Sequence, residues 1–501
     1  MQTGASFLGV DLGASSGRII AGHWDGNRFG IEEWHRFENN GISIGGRLYW
    51  DVLNIWAQIL AGFRRFSAAC SACPASIGID GWGIDFGLLD KRGRLIANPF
   101  HYRDRKTEGI PERLFELLDE RLLFRETGVQ SWHINTLFQL YSMVLEDDPQ
   151  LRVAQTLLTI PDLFSYFLSG SAAVEFTEAT TTEMFAARRG EWAWELIRMA
   201  GIPDGIMPDV VQPCSHLGVT RPAVVDESRF SHGVPVIAVA AHDTAAAVAA
   251  IPDLDEKSAF ISSGTWSLMG IEISAPNTSE DAFRLGFANE GAIDGGFLLV
   301  KNLAGLWILQ ECLRCWGKAG QSHGWNELVD AATAAPAFRS LLNPNDKVFE
   351  MPAEMPFAVQ DYCVRTQQPA PRAMGEFARA VFEGLAMTYR EALVSLEHVS
   401  GRTISTIRIV GGGSQNCLLS QMVADSCNRL VISGPKEATV LGNILAQATA
   451  TGHIGNLQQG RIAIAASFHC QSYEPHPSPR WDEAFARFLQ LDAGQDSLAL
   501  R

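Results

Sequence analysis

Four short stretches of the chain hold the residue types that chemistry needs. Asp11-Leu12-Gly13-Ala14-Ser15-Ser16-Gly17-Arg18 closes an apolar run with a charged residue and a turn of small residues. Ser262-Ser263-Gly264-Thr265-Trp266-Ser267 repeats the small-residue turn, and Ile409-Val410-Gly411-Gly412-Gly413-Ser414 ends another apolar run in three glycines. In the fourth stretch, His242, Asp243 and Thr244 sit in the middle of PVIAVAAHDTAAAVAAIP. Turns without bulky side chains let successive backbone N–H groups approach an anion, and Ser15, Ser16 and Arg18 add donors. Bare glycine backbone lets a base or ribose lie against the chain. A carboxylate ending an apolar strand needs a partner, and for Asp11 beside such a loop a hydrated Mg²⁺ is one. Three such loops and a buried His-Asp point to a nucleoside triphosphate and its base.

Other readings of the same residues stay open at this level. Gly13-Ala14-Ser15-Ser16-Gly17 also fits G-x-S-x-G with Ser15 as nucleophile, but that motif leads from strand into helix, whereas RIIAGHW reads as strand. Neither G-x-G-x-x-G before a helix nor G-x-x-x-x-G-K-[ST] occurs, which excludes a dinucleotide fingerprint and a P-loop. More ordinary roles are an Asx cap for Asp11, an N-cap for Asp243, a satisfied core position for His242 and a structural one for Asp85. Trp82, Trp266 and Trp307 read as core rather than as sugar platforms.

The elements that position these residues follow from pattern. SFLGVDLGASSGRIIAGHW is a hairpin turning at Gly13 to Gly17, WDVLNIWAQILAGFRRF has helical apolar spacing, and ASIGIDGWGIDFGLLDKRG reads as two strands. From about Asn98 to Pro235 the pattern is mostly helical, interrupted by the loop-like EFTEATTTEMF. VPVIAVAAHDTAAAVAAI is a buried strand entering a helix with Asp243 or Thr244 at its start. KSAFISSGTWSLMGIEI then repeats the opening hairpin. The helices NLAGLWILQECLRCWG and GEFARAVFEGLAMTYREALVSLEHV follow, then strand TIRIVGGG, helix SQNCLLSQMVADSC, strand LVISG and helix ATVLGNILAQATATG. Two blocks opening alike predict two similar α/β lobes meeting near residue 247.

Composition narrows the class. The chain has 501 residues, 47% hydrophobic and 19% charged, with 40 Lys+Arg against 56 Asp+Glu and a net charge of −16. That is a folded-enzyme composition, and an acid surface of this size disfavours a nucleic-acid partner. The longest apolar stretch is broken by His242 and Asp243, which argues against a membrane span. The opening MQTGASFLGV lacks the basic start of a secretory signal. Nine scattered cysteines do not read as a disulfide framework, and the pairs Cys70/Cys73 and Cys312/Cys315 are not flanked by further metal ligands. A cytoplasmic setting is expected.

The ordered set DLGASSGR, GIDGWGIDF, YRDRKT, NTLFQL, PDLFSYFLSG, EFTEATTT, HDTAAAV, SSGTWSLMG, VKNLAGLWILQ, VGGGSQN and EATVLGNI resembles the FGGY family of carbohydrate kinases. The likeness runs from about Gly9 to Gly452. It implies two actin-like, ribonuclease-H-like lobes flanking a nucleotide and sugar cleft. Residues 1–247 would form the lobe with the sugar site, first hairpin and catalytic Asp, and residues 248–501 the ATP lobe. By motif position, Ala14, Ser15, Ser16, Gly17, Arg18, Thr265, Gln310 and Gly412 would bind ATP. Gly83, His242, Asp243, Thr244 and Asn302 would line the sugar site, with Asp243 as general base and Asp11 meeting Mg²⁺ through water. The substrates implied are ATP and a small ketose, for a monomer or a homodimer; another polyol, or a non-catalytic nucleotide-binding scaffold, are the alternatives. One departure stands out: the kinases it most resembles read GIDTWG where this chain reads GIDGWG, so Gly81 implies a wider sugar pocket.

Overall fold

The structure is a computed structural model that describes residues 4–70, 72–350 and 352–496, with side chains as far as residue 491. Two compact units emerge. The first comprises the chain up to Asp253 with Glu272–Val300 and Ala438–Phe468; the second comprises Leu254–Ile271, Lys301–Glu437 and the chain from His469. Both are α/β. Two segments from beyond residue 247 thus fold with the first unit.

In the first unit, β1 (Ala5–Leu12), β2 (Ser16–Trp24), β3 (Phe29–Glu38), β4 (Ser76–Gly81), β5 (Ser215–Val219) and β6 (Pro235–Ala238) form one sheet in the order β5-β6-β4-β1-β2-β3. β1 pairs antiparallel with β2 and parallel with β4, in the register Asp11↔Arg18 and Asp11↔Asp80. That pairing alone gathers two acids and a guanidinium at one sheet end. β1 is apolar on both faces because both are covered: Phe7, Leu8, Val10 and Leu12 are all buried. Edge strand β3 instead alternates, as FGIEEWHRFE predicts. The helix Val52–Ala69 starts where Asp51 accepts from the Asn54 amide, and it buries Val52, Ile55, Ile59, Phe63 and Phe66 at helical spacing.

The helix Ala438–Ala450 is apolar nearly all round, yet Asn443 and Gln447 are fully buried within it. They lie four apart on one face and bond each other at 2.6 Å. Gln447 also donates to the Leu8 carbonyl, and Asn443 to the Asp80 carboxylate at 2.6 Å. Gly442 is obligatory here, since a Cβ would lie 1.8 Å from the Ala246 carbonyl oxygen of the helix Asp243–Ala249.

In the second unit, β7 (Ser258–Ser263), β8 (Trp266–Ile273), β9 (Phe297–Ala304, belonging to this unit from Lys301), β10 (Thr406–Val410), β11 (Leu430–Ser433) and β12 (Gln471–Tyr473) run in the order β9-β8-β7-β10-β11-β12. The second hairpin, β7-β8, therefore stands where β1-β2 stands in the first sheet, and β10 pairs parallel with β7 as β4 does with β1. The order 3-2-1-4 recurs in both, continued by β6 and then β5 in the first sheet and by β11 and then β12 in the second, in keeping with the ribonuclease-H-like lobes the resemblance implied.

Two local expectations change. The stretch from Asn98 to Pro235 is not simply helical: Ala154–Thr159 pairs antiparallel with Phe86–Asp90, and β5 lies within it. Asn302, Leu303 and Ala304 are strand, with the helix starting only at Trp307. Within that helix Cys312 is buried but Cys315 only partly so.

Candidate active site

The site in the first unit is built on the C-terminal ends of β1, β4 and β6, where parallel strands present their following turns. Asp11 and Arg18 face each other across the hairpin. Arg18 Nε donates to Asp11 Oδ2 at 3.1 Å, and Nη2 bonds the same oxygen. Asp11 thus has a protein partner and is not an Asx cap alone. Gly13 closes the turn by donating its N–H to the Ser16 carbonyl, and Asn39 ties the loop from the side. Gly17 has a packing role: the Phe37 ring lies 2.2 Å from where a Cβ would be.

Asp80 is fully buried. It accepts from Asn443 through Oδ2, while Oδ1 has no partner. Burial, then the nearby charges of Asp11 and Asp243, push its carboxyl well above the usual range. Gly81 follows, donating to the Ala241 carbonyl at 2.8 Å. The Cβ it lacks would lie 3.1 Å from Leu12 and 3.3 Å from Pro161, so a larger residue there requires these neighbours to give. At Gly83 a Cβ would meet Thr181 Oγ1 at 2.9 Å. Ile84 is held at φ +72°, a β-branched residue in the left-handed region, with its N–H bonded to Thr181 and its carbonyl to Thr136. Such strain costs on the order of 1–3 kcal/mol and persists only where the surroundings enforce it.

His242 and Asp243 begin the helix after β6. His242 occupies the cap position without a side-chain capping bond and Asp243 is the first helical residue, so the N-cap reading of Asp243 is set aside. Thr244 Oγ1 donates to Asp243 Oδ1 at 3.2 Å. Asp243 Oδ1 lies 3.7 Å from His242 Nε2, and Glu290 Oε2 lies 3.4 Å from Nδ1. The Asp243 side chain is 38% exposed, whereas those of His242 and Glu290 are 12% and 11% exposed. Burial raises the Asp243 pKa, opposed by His242 and reinforced by Asp11. Burial alone would lower that of His242, but Glu290, then Asp243 and Glu178, carry it to about 10.

The segment EFTEATTTE holds this arrangement, and reading it as a loop missed its role. Glu175 Oε2 accepts from the Thr177 amide and hydroxyl and from the Ala241 amide, and Thr177 Oγ1 accepts from the His242 amide at 3.0 Å. Thr180, Thr181 and Thr182 each bond back to the carbonyl three residues earlier, which makes the tight turn. Thr181 then receives Ile84, and Thr180 receives the Gly291 amide at 2.7 Å. Glu175, Thr177, Thr181, Asp80, Asn443 and Glu290 were not among the expected site residues. The signal available was three acids and four threonines in nine residues, more polarity than a buried turn tolerates without partners.

Asp85 is structural: its carboxylate accepts from the indoles of Trp50 and Trp82 and from Gln139. Trp82 is buried, as expected, but Trp266 is 45% exposed and is not core. In the second unit, the Leu306 and Trp307 amides donate to the Gly264 and Thr265 carbonyls. Gln310 lies one turn on, bonded to Leu306. Cβ atoms at Gly411 and Gly413 would collide with Ser263. Thr265, Gln310 and Gly412 are thereby brought to one sheet end. Asn302 is also in this unit, exposed on β9.

The chain matches the C-terminal domain of the FGGY family of carbohydrate kinases over residues 259–451 and the N-terminal domain over 6–250. It belongs to that family of ATP-dependent sugar kinases. It is 39% identical to the rhamnulokinase of Bacteroides thetaiotaomicron, covering 96% of this chain and 98% of that protein, and 37% identical to that of Pectobacterium carotovorum, covering 97% and 96%. Solved structures with the same fold include a gluconate kinase from Lactobacillus acidophilus (TM-score 0.80, 16% identity, 99% of both chains) and Plasmodium falciparum glycerol kinase with ADP (0.77, 15%, 97% of both). Among the described residues no helix is long and apolar enough to cross a membrane.

Proposed function

We propose that this chain transfers the γ-phosphate of ATP to O1 of L-rhamnulose, with Asp243 as general base. The observation that carries the reading is the carboxylate of Asp243, partly open to solvent and 3.7 Å from His242, in a chain alike end to end to rhamnulokinases. Phosphoryl transfer asks for positioning, for neutralised phosphate charge and for modest help with the acceptor proton. Asp243 takes that proton late, as the O–P bond forms. Gly83, His242 and Thr244 orient the ketose in the first unit, and Asn302 is a further sugar-binding residue by its motif position. Ala14 to Arg18 cradle phosphate through backbone amides, and Thr265, Gln310 and Gly412 hold the nucleotide. The first unit thus carries the general base and the first phosphate turn, and the second the nucleotide residues.

Mg²⁺ fits as a hydrated ion. Among the described residues no three side chains gather into a direct cage, while Asp11 and Asp80 stand in register at the ends of β1 and β4. Arg18 bonds Asp11 through Oδ2, and Asp11 would meet a water of the ion, which supplies charge neutralisation when bound. Nine free cysteines accord with a reducing cytoplasm.

The test is ADP release across L-rhamnulose, L-fuculose, L-ribulose and D-xylulose. The highest kcat/KM is expected with L-rhamnulose. Preference for another ketose would reassign the substrate, and stimulation by none would favour a nucleotide-binding scaffold.

A further inference from the structure

His242 Nδ1 and Glu290 Oε2 are both buried, and neither atom makes any aligned hydrogen bond; each has the other as its nearest charged counterpart, at 3.4 Å. Opposite charges in so dry a place attract strongly, and either would be costly there alone. On its other side the ring directs Nε2 towards Asp243 Oδ1, 3.7 Å away. Both ring nitrogens therefore look at carboxylates, an environment that only a doubly protonated imidazole satisfies.

Glu290 sits between two hydrogen-bonded neighbours, Asn289 and Gly291. It lies on the strand Phe287–Gly291, whose neighbours on each side are locked. The Asn289 amide donates to the Gly128 carbonyl, and its side chain donates to the Gly128 and Asn277 carbonyls. The Gly291 amide donates to Thr180 Oγ1. The groups acting on His242 are Glu290 from this strand, Glu178 from the helix Phe176–Ala179 and Asp243 from its own helix. Glu178 is fully buried with neither oxygen hydrogen-bonded, and burial drives its carboxyl well up, towards the neutral form. The counter-ion with an oxygen against the ring is Glu290, 3.4 Å from Nδ1.

We propose that Glu290 is a positioning residue which, by ion-pairing Nδ1, holds His242 as an imidazolium with Nε2–H aimed at Asp243, a fixed cation that keeps the neighbouring aspartate ionised for proton removal. The proposal rests on the reading of Asp243 as base and extends it: the working base is a Glu290–His242–Asp243 line. The cation counters the burial, and after it the charge of Asp11, that raise Asp243.

The test compares the parent with Glu290→Gln and Glu290→Asp in the full chain, using ¹⁵N-imidazole NMR, with His242 assigned from a His242→Gln spectrum, and pH profiles of ketose-stimulated ADP release. In the parent, His242 is expected to stay an imidazolium through pH 8. In Glu290→Gln it should be neutral by pH 8, kcat should fall about tenfold or more, and the acid limb of kcat should move to higher pH by roughly a unit. Glu290→Asp, which keeps the charge, should restore the imidazolium signal and part of the rate. A parent His242 that titrates like an ordinary histidine, or a Glu290→Gln variant with unchanged titration and acid limb, would overturn the proposal. If Glu290→Gln does not fold, Glu290→Asp and the parent titration decide it alone. Because the NMR arm needs no turnover, failure of the ketose reading would show as absent ADP release with the imidazolium intact.

Discussion

The hairpins β1-β2 and β7-β8 are the same device built twice and given opposite chemistry. Each is a small-residue turn at the centre of its sheet, flanked by a parallel strand. Around the first, tertiary neighbours are charged: Arg18 on Asp11, Asp80 in register beside it, and Asp243 close enough for its charge to be felt. Around the second, the neighbours are backbone: the Leu306 and Trp307 amides and the bare chain at Gly305, Gly411 and Gly413. A turn sets how near an anion can come. What the turn does once the anion is there depends on which strands and helices are laid next to it.

The largest expected effect breaks the charged side of that contrast. Asp243→Asn keeps size and still accepts the Thr244 hydroxyl, so the fold should hold while kcat for ketose phosphorylation falls at least about 10². Coupled ADP-release kinetics with isothermal titration of ATP and sugar would check it. Turnover near that of the parent would remove Asp243 from the mechanism.

Next in size is the glycine contrast. A Cβ at Gly13 has its nearest neighbour at 3.1 Å and one at Gly264 at 3.6 Å, so valine at either should leave the fold intact and weaken ATP binding about tenfold or more by keeping phosphate off the backbone. Gly17→Val should behave differently, losing about 1–3 kcal/mol of stability against the Phe37 ring. Equal ATP affinity in the Gly13 and Gly264 variants would dissociate both turns from phosphate.

A smaller effect should appear in the pH–rate profile. Asp243 must be ionised to act, and its pKa is raised, so the acid limb of kcat should lie above the ordinary aspartate range. A limb at or below about 4 would contradict this.

The smallest concerns stability away from the reacting groups. Glu183 is fully buried, accepts from Ser131 at 2.5 Å and Asn135 at 2.7 Å, and is pushed up to about 8, burial being the main cause. A folded pKa above the unfolded one gives a contribution complete below about 4.5 that is lost as pH rises towards 8. Glu183→Gln does not titrate, so it should gain on the parent by roughly 1 kcal/mol per pH unit between pH 5 and 8. Urea midpoints that stay parallel across that window would refute it.

The sequence by itself determined the two hairpins, the strand-to-helix junction at His242-Asp243 and the recurrence of one block in two α/β units. These are short-range matters: small residues permit tight turns, apolar runs demand cover, and a helix period shows in a dozen residues. Tertiary structure alone decided that Asp11 would be met by Arg18 and Asp80, that Glu175 and Thr177 would fix the backbone at Ala241 and His242, and that Glu290 would reach the ring. It also decided that residues 438–468 return to the first unit, bringing Asn443 to Asp80 across 363 positions of chain. The physical reason is that buried polar groups must find partners wherever the fold provides them. A partner's identity is written in strand register and helix packing, which no local pattern of residues encodes.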